Sequence, residues 1–199
     1  MKTSAEAILY RLPSILEALP LEKLFPREQP VEIELGSGDG SFLAEYAAAN
    51  PERNFIGVER LLGRLRKIGR KGARLELHNL RAIRIECSYF VRYLLPPNSI
   101  EAIHVYFPDP WPKRRHWQKR LVGEAFPQLA RRVLRKGGAV YLRTDDRDYH
   151  EQMLSVFSAA EGFHPISTPE RLLAFKTDFE RDFNARGITT LSAAYACCG

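Results

Sequence analysis

Three groups of residues in this 199-residue chain have the types and spacing to do chemistry. The first is Gly36-x-Gly38-x-Gly40, with the acid Glu34 just before it and a second acid, Glu59, closing the next apolar segment. Glycines let the backbone turn tightly and approach a ligand with no Cβ in the way. A carboxylate placed like Glu59 accepts hydrogen bonds from ribose hydroxyls. A dinucleotide fingerprint has a third Gly or Ala where this chain has Ser41, and Glu34 suits a cationic amine better than a pyrophosphate. The glycines alone also read as a plain turn; the two acids tip the reading toward a ligand with both a ribose and an amine.

The second group is Phe107-Pro108-Asp109-Pro110-Trp111-Pro112. Each proline fixes φ and lacks an N–H, and each residue before a proline is driven out of the helical region. The result is a stiff arm carrying Asp109 and Trp111. A recognition-free surface loop is the alternative; a polyproline ligand is disfavoured because the spacing is PxPxP, not PxxP. The third group, Lys113-Arg114-Arg115-His116-Trp117-Gln118-Lys119-Arg120, interleaves cations with aromatics, a pattern suited to phosphates and stacked bases as well as to an ordinary charged helix face. S-adenosylmethionine carries the ribose and amine that the first group calls for.

Other chemistries find no footing. The three cysteines, Cys87, Cys197 and Cys198, include no CxxC, so neither a disulfide framework nor a zinc site is expected. No histidine pairs at HxxxH spacing, no Ser-His-Asp arrangement is visible, and no metal is expected; Cys87 reads as a packed thiol. With 45% hydrophobic and 27% charged residues the chain is neither disordered nor fibrous. No apolar run reaches the roughly 18 residues of a membrane span, and the start lacks the apolar core of a signal peptide, so a cytoplasmic location is expected. The net charge of +6 is a modest hint of an anionic partner.

These groups need elements to hold them. Leu12, Ile15, Leu16 and Leu19 recur at helical spacing and predict a short N-terminal helix within residues 1–30. Strands are predicted at 31–35, 54–58, 81–85, 102–106 and 139–142, with further ones near 163–167 and 188–195. Helices are predicted after the glycine turn, over the basic stretch 60–74, from Pro127 to Gly137-Gly138, and around Tyr149 to Ala160. Leu61, Leu65 and Ile68 lie on one face of the basic helix; Arg60, Arg64, Lys67, Lys71 and Arg74 lie on another. Alternating strand and helix predicts one α/β domain, with a mostly parallel sheet covered by helices on both faces. Ligands bind such sheets beyond the carboxyl ends of the strands, and those ends carry residues 36–40, Glu59, Glu86, Asp109 and Asp145.

The block from Phe107 to His116 resembles the tRNA (guanine-N7)-methyltransferase family. So do Ile33-Glu34-Leu35-Gly36, Gly57-Val58-Glu59, Thr144-Asp145 and Thr177-Asp178-Phe179-Glu180, in order over roughly residues 31 to 191. The resemblance implies the Rossmann-like class I methyltransferase fold, a seven-stranded sheet with one antiparallel strand, with S-adenosylmethionine as cofactor and tRNA as partner. It implies that Glu34, Gly36, Gly38, Glu59, Glu86 and Asp109 frame the cofactor, Glu59 at the ribose and Glu86 near the adenine. Lys113, Asp145, Thr177, Asp178, Phe179 and Glu180 would meet the target nucleoside. Asp109 is the expected catalytic residue, and Arg115 and Arg120 are expected to bind RNA. The family usually has Asp at Glu86 and a long residue such as Lys at Asp178, so the latter exchange puts a negative charge on the RNA side.

Guanine N7 has an in-plane lone pair and needs no general base, which leaves alignment as the main task. Asp109 and Glu180 would stabilise the charge developing on the ring, while helix 60–74 and residues 113–120 hold phosphates around a splayed-out base. Three rival readings stand beside this one: a module that binds RNA or cofactor without turnover, a methyltransferase acting on another nucleic acid or on protein, and a nicotinamide dehydrogenase. No residue pattern calls for a partner subunit.

Overall fold

The structure is a computed structural model that describes residues 3–198. Its strands are β1 (Leu9–Tyr10), β2 (Val31–Leu35), β3 (Asn54–Val58), β4 (Leu80–Ile83), β5 (Ile100–Tyr106), β6 (Leu134–Thr144), β7 (Phe163–Pro165) and β8 (Leu191–Cys197). The helices are α1 (Ala5–Ile8), α2 (Ser41–Ala49), α3 (Leu62–Arg74), α4 (Cys87–Tyr89), α5 (Phe126–Val133), α6 (Arg147–Ser158), α7 (Glu170–Leu173) and α8 (Asp178–Ala185). The strands form one sheet in the order β1-β4-β3-β2-β5-β6-β8-β7. Among the described residues only β8 runs against the other strands, pairing antiparallel with β6 and with β7. The eighth strand, beyond the seven expected, is β1, a two-residue edge that pairs Leu9 with Ala82 and Tyr10 with Ile83.

The two faces of the sheet differ in chemistry. β2 alternates apolar and acidic residues, and successive side chains of a strand point to opposite faces. Ile33 and Leu35 join Ile103, Val105, Val140 and Leu142 in an apolar core under α5 and α6, where Phe126, Tyr149, Met153 and Phe157 pack. Glu32 goes to the other face, where His104 Nε2 lies 2.8 Å from Glu32 Oε2 and His104 Nδ1 lies 2.8 Å from the Tyr106 hydroxyl. There Phe42 and Tyr46 of α2 pack their rings on His104, and Phe42 meets Tyr106 edge-on. This second layer is buried yet polar, and the proposed site lies at its carboxyl-end rim.

Two sequence expectations are corrected. Residues 12–19 form no helix, and Leu16 is 86% exposed. Pro13 and Pro20 interrupt the helical ladder, and the chain instead ties to the body through Leu19 N–H to Leu94 O and the Tyr89 hydroxyl to Ile15 O. The helix begun near Pro127 ends at Val133, before Gly137-Gly138, because β6 starts at Leu134; Gly137, at φ +77°, lies inside that strand.

Gly57 sits in β3 against the glycine turn. A Cβ there would lie 2.7 Å from Leu43 Cδ2 and 2.9 Å from Ser37 Oγ, and Leu43 is fully buried. Gly57→Ala is expected to cost about 1–3 kcal/mol by overpacking, read as a lowered Tm, because neither neighbour can withdraw without disturbing α2 or the turn.

Candidate functional site

The turn after β2 is built from backbone that L side chains rarely adopt: Gly36, Gly38 and Gly40 have φ of +83°, +53° and +76°. Gly36 and Ser37 N–H both donate to Val58 O at 2.9 Å, which fastens the turn to β3. Glu59 locks its outer side, with Oε2 accepting from Gly38 N–H at 3.0 Å and Oε1 from Leu61 N–H at 2.7 Å. Apart from the adjoining residues, a Cβ built on Gly36 or Gly38 meets no atom of the described residues within 4 Å, so both glycines present open backbone.

Gly36 and Gly38 line a cavity of about 290 Å³ together with Glu34, Asp109, Asp145, Thr177 and Phe179. The sequence-predicted turn, the braced aspartate and part of the C-terminal motif thus meet in one place. Glu34 Oε2 is buried and has no hydrogen-bond partner among the described residues. Burial pushes its carboxyl up to about 8, with Asp39 and Glu59 adding to the rise, while Ser37 and the Arg143 guanidinium only partly offset it. An ammonium or sulfonium centre brought beside it would both pair with that oxygen and restore its ionisation.

The arm leaves β5 through two left-handed, non-glycine residues, Phe107 at φ +50° and Trp111 at φ +46°, each preceding a proline. Such residues persist only where their surroundings over-determine them. Phe107 N–H donates to Arg143 O at 2.8 Å, and Lys119 Nζ lies 4.8 Å from the Trp111 ring centre. Lys113, Arg114 and Arg115 are exposed along the segment that follows. Arg120, expected to meet RNA, is instead buried at 4% exposure, donating to Pro110 O at 2.6 Å and to Gln152 Oε1 at 2.7 Å. The side chains of α6 cover it, so its charge is not offered to phosphates.

The opposite wall hangs on Arg143, a residue that no motif singled out. It is 2% exposed and donates to Phe175 O, Leu172 O and Glu180 Oε2 at 2.7, 2.8 and 2.9 Å. Its guanidinium lies 4.3 Å from the Tyr106 ring centre. Glu180 Oε1 accepts from the Thr190 hydroxyl at 3.2 Å, so both oxygens of this predicted substrate residue are engaged inside the fold. Thr177 caps α8 by accepting from Glu180 N–H. Asp178 N–H donates to Ser41 Oγ at 2.9 Å, and its carboxylate pairs with Arg181 at 2.9 Å and with Lys71 at 3.5 Å. Lys71 also holds Asp39 at 2.8 Å; burial raises that carboxyl, but Lys71, together with Asp178 and Ser41, more than offsets it and keeps it below its usual range.

Neither Glu59 nor Glu86 is on the lining of this cavity; the two Glu86 oxygens accept from Ser88 and Tyr89 N–H and cap α4. Beside it, burial pushes the Cys87 thiol up to about 12, which keeps it protonated and inert.

A family model described as "Putative methyltransferase" matches residues 28–191. The chain is 33% identical to a tRNA (guanine-N(7)-)-methyltransferase of Thermotoga maritima over 87% of its own length and 54% of that protein. It is 38% identical to the protein of that name from Halorhodospira halophila over 76% of its own length and 65% of the other's. The chain therefore spans between half and two thirds of the length of these curated relatives. Among solved structures, the 16S rRNA methyltransferase KamB superposes with a TM-score of 0.64 at 18% identity, covering 90% of this chain and 93% of KamB. The aminoglycoside resistance methyltransferase NpmB1 gives 0.59 at 16% identity, covering 89% and 91%. At such identities the likeness is one of fold, the class I methyltransferase architecture.

The proton on Glu34 has a measurable consequence. From about 4.5, its ordinary value, up to about 8 the folded chain holds a proton that the unfolded chain has released. Its contribution to stability is whole below that window and is lost as pH rises through it. Tm measured against pH should therefore fall more steeply across the window in the wild type than in Glu34→Gln, which has no carboxyl there to ionise; parallel curves would show that Glu34 is charged throughout.

Proposed function

The chain belongs to the methyltransferase family whose model spans its residues 28–191, and on that premise we propose that it transfers the methyl group of S-adenosylmethionine to N7 of a guanine in tRNA. The observation that carries the reading is one cavity shared by the open Gly36 and Gly38 backbone, the unpartnered Glu34 oxygen and Asp109. These residues fit the cofactor: Glu34 would pair with its ammonium and release its own proton to solvent, and the two glycines would leave room beside their peptides. Glu59, while holding Gly38 and Leu61, keeps lone pairs for ribose hydroxyls. When bound, S-adenosylmethionine supplies an electrophilic methyl on a sulfonium sulfur.

The acceptor nitrogen brings its own lone pair, so the protein needs to align it rather than deprotonate it. Asp109 and Asp145 are exposed carboxylates on the cavity lining; they would hold a purine edge and stabilise the positive charge that the ring gains. Phe179 and Phe183 offer apolar surface on the same lining for a base taken out of its stack. Glu180 serves the wall rather than the ring, because Arg143 and Thr190 occupy its oxygens. Arg60, Lys67, Arg70 and Arg74 on or beside α3, with Arg114 and Arg115, supply cations for flanking phosphates.

Incubating the purified protein with unmodified tRNA and labelled S-adenosylmethionine, then mapping the label by nuclease digestion, is expected to place it on N7 of guanosine. Methyl on another atom, or on protein alone, would reject the assignment. Asp109→Ala should lower single-turnover transfer by about 100-fold, the scale for losing one preorganised electrostatic contact. Arg115→Ala should weaken tRNA binding and reduce the slope of log K against log salt by about 0.7–1, one phosphate contact's share; an unchanged slope would mean that the side chain stays in solvent.

A further inference from the structure

The Pro108-Asp109-Pro110 arm has a problem of support. Its prolines stiffen it from within but donate no hydrogen bonds, and its ends pass through the left-handed residues Phe107 and Trp111. The inner end is tied by Phe107 N–H to Arg143 O. At the outer end, Arg120 Nε donates to Pro110 O at 2.6 Å, on the residue that follows Asp109.

Arg120 is itself held through two of its three nitrogens, while Nη2 is buried and has no hydrogen-bond partner among the described residues. Its Nη1 donates to Gln152 Oε1 at 2.7 Å, and Gln152 Nε2 donates to Val122 O at 3.2 Å. Val122 N–H donates to the Tyr149 hydroxyl at 2.9 Å, closing a ring of contacts onto α6. The guanidinium lies between two aromatic rings, 4.6 Å from the Trp117 centre and 4.7 Å from that of Tyr149. It is 96% removed from solvent and has no carboxylate partner among the described residues. Burying a charge without a counter-ion is costly, so the site is built for the planar fork of a guanidinium rather than for charge pairing.

We propose that Arg120 is a positioning residue, a strut that transmits the rigidity of α6 to the Pro110 carbonyl and so holds Asp109 in the cavity. The role in catalysis rests on the methyl-transfer reading above; the mechanical role does not. Lysine at this position would keep the charge but lose the two-pronged, ring-stacked geometry.

The test uses the full chain as Arg120→Ala, Arg120→Lys and Gln152→Ala. If Arg120 is a strut, Arg120→Ala lowers kcat for methyl transfer by about 10–100-fold, the scale for a misplaced reacting group. KM for tRNA and the salt dependence of binding stay where they were, because no phosphate contact is lost. Arg120→Lys fails to restore kcat, whereas added ethylguanidinium restores part of it in Arg120→Ala. Gln152→Ala, which leaves Arg120 in place, shows a smaller loss in the same direction and serves if Arg120→Ala does not fold. A second readout needs no turnover: the chain has two tryptophans, so in a Trp117→Phe background Trp111 alone reports on the arm, and its quenching by acrylamide should rise when Arg120 or Gln152 is truncated. A shift in quenching with no transfer by the wild type would sink the activity and leave the strut standing. Unchanged quenching, or a raised KM with a shallower salt slope rescued by lysine, would overturn the proposal and return Arg120 to RNA binding.

Discussion

A single buried arginine joins the two walls of the cavity. Arg143, near the carboxyl end of β6, gives its backbone oxygen to Phe107 at the root of the arm and its side chain to Leu172, Phe175 and Glu180 on the opposite wall. A guanidinium taken out of water this completely must find acceptors, and a carboxylate buried beside it must find donors. Glu180 and the carbonyls of the 172–175 segment meet that requirement only when this segment and α8 close down on the sheet. The cavity therefore exists because a charge in the second layer would otherwise be unpaired.

That layer also explains why the site lies where it does. One face of the sheet is apolar and packs in the ordinary way. The other carries Glu32, Glu34, His104, Tyr106 and Arg143 along neighbouring strands, all buried. Most of these are satisfied in pairs: burial raises the Glu32 carboxyl, but His104 and Arg53 more than offset it and hold it below its usual range. Glu34, at the rim, is the exception. Its unpartnered oxygen is a polar group that the fold leaves for something else to satisfy, and it borders the open glycine backbone.

The two departures from the family pattern find local explanations. The negative charge of Asp178 is met by Lys71 and Arg181, which sit against it, and by the α8 N-terminus, which accommodates it. Glu86, longer by a methylene than the usual Asp, reaches back to cap α4. Both changes are absorbed by neighbours within the same part of the fold.

Much of the fold was legible in the amino-acid order because it follows from rules that act over a few residues. The alternation in Val31–Leu35, the glycines at 36, 38 and 40, and the prolines at 108, 110 and 112 each dictate local backbone whatever surrounds them, and together they place Glu34 and Asp109 at strand ends. The same local rules misjudged residues 12–19, where apolar spacing suggested a helix that Pro13 and Pro20 interrupt. What no local rule reaches is the fate of a long polar side chain. Arg120 reads as one more cation in a basic run, yet Gln152, 32 residues away, closes over it. Arg143 reads as an unremarked strand residue, yet Glu180, 37 residues away, makes it the anchor of a wall. Whether such a charge meets water, a phosphate or a buried carboxylate depends on which distant segment packs against it, and only the tertiary structure decides that.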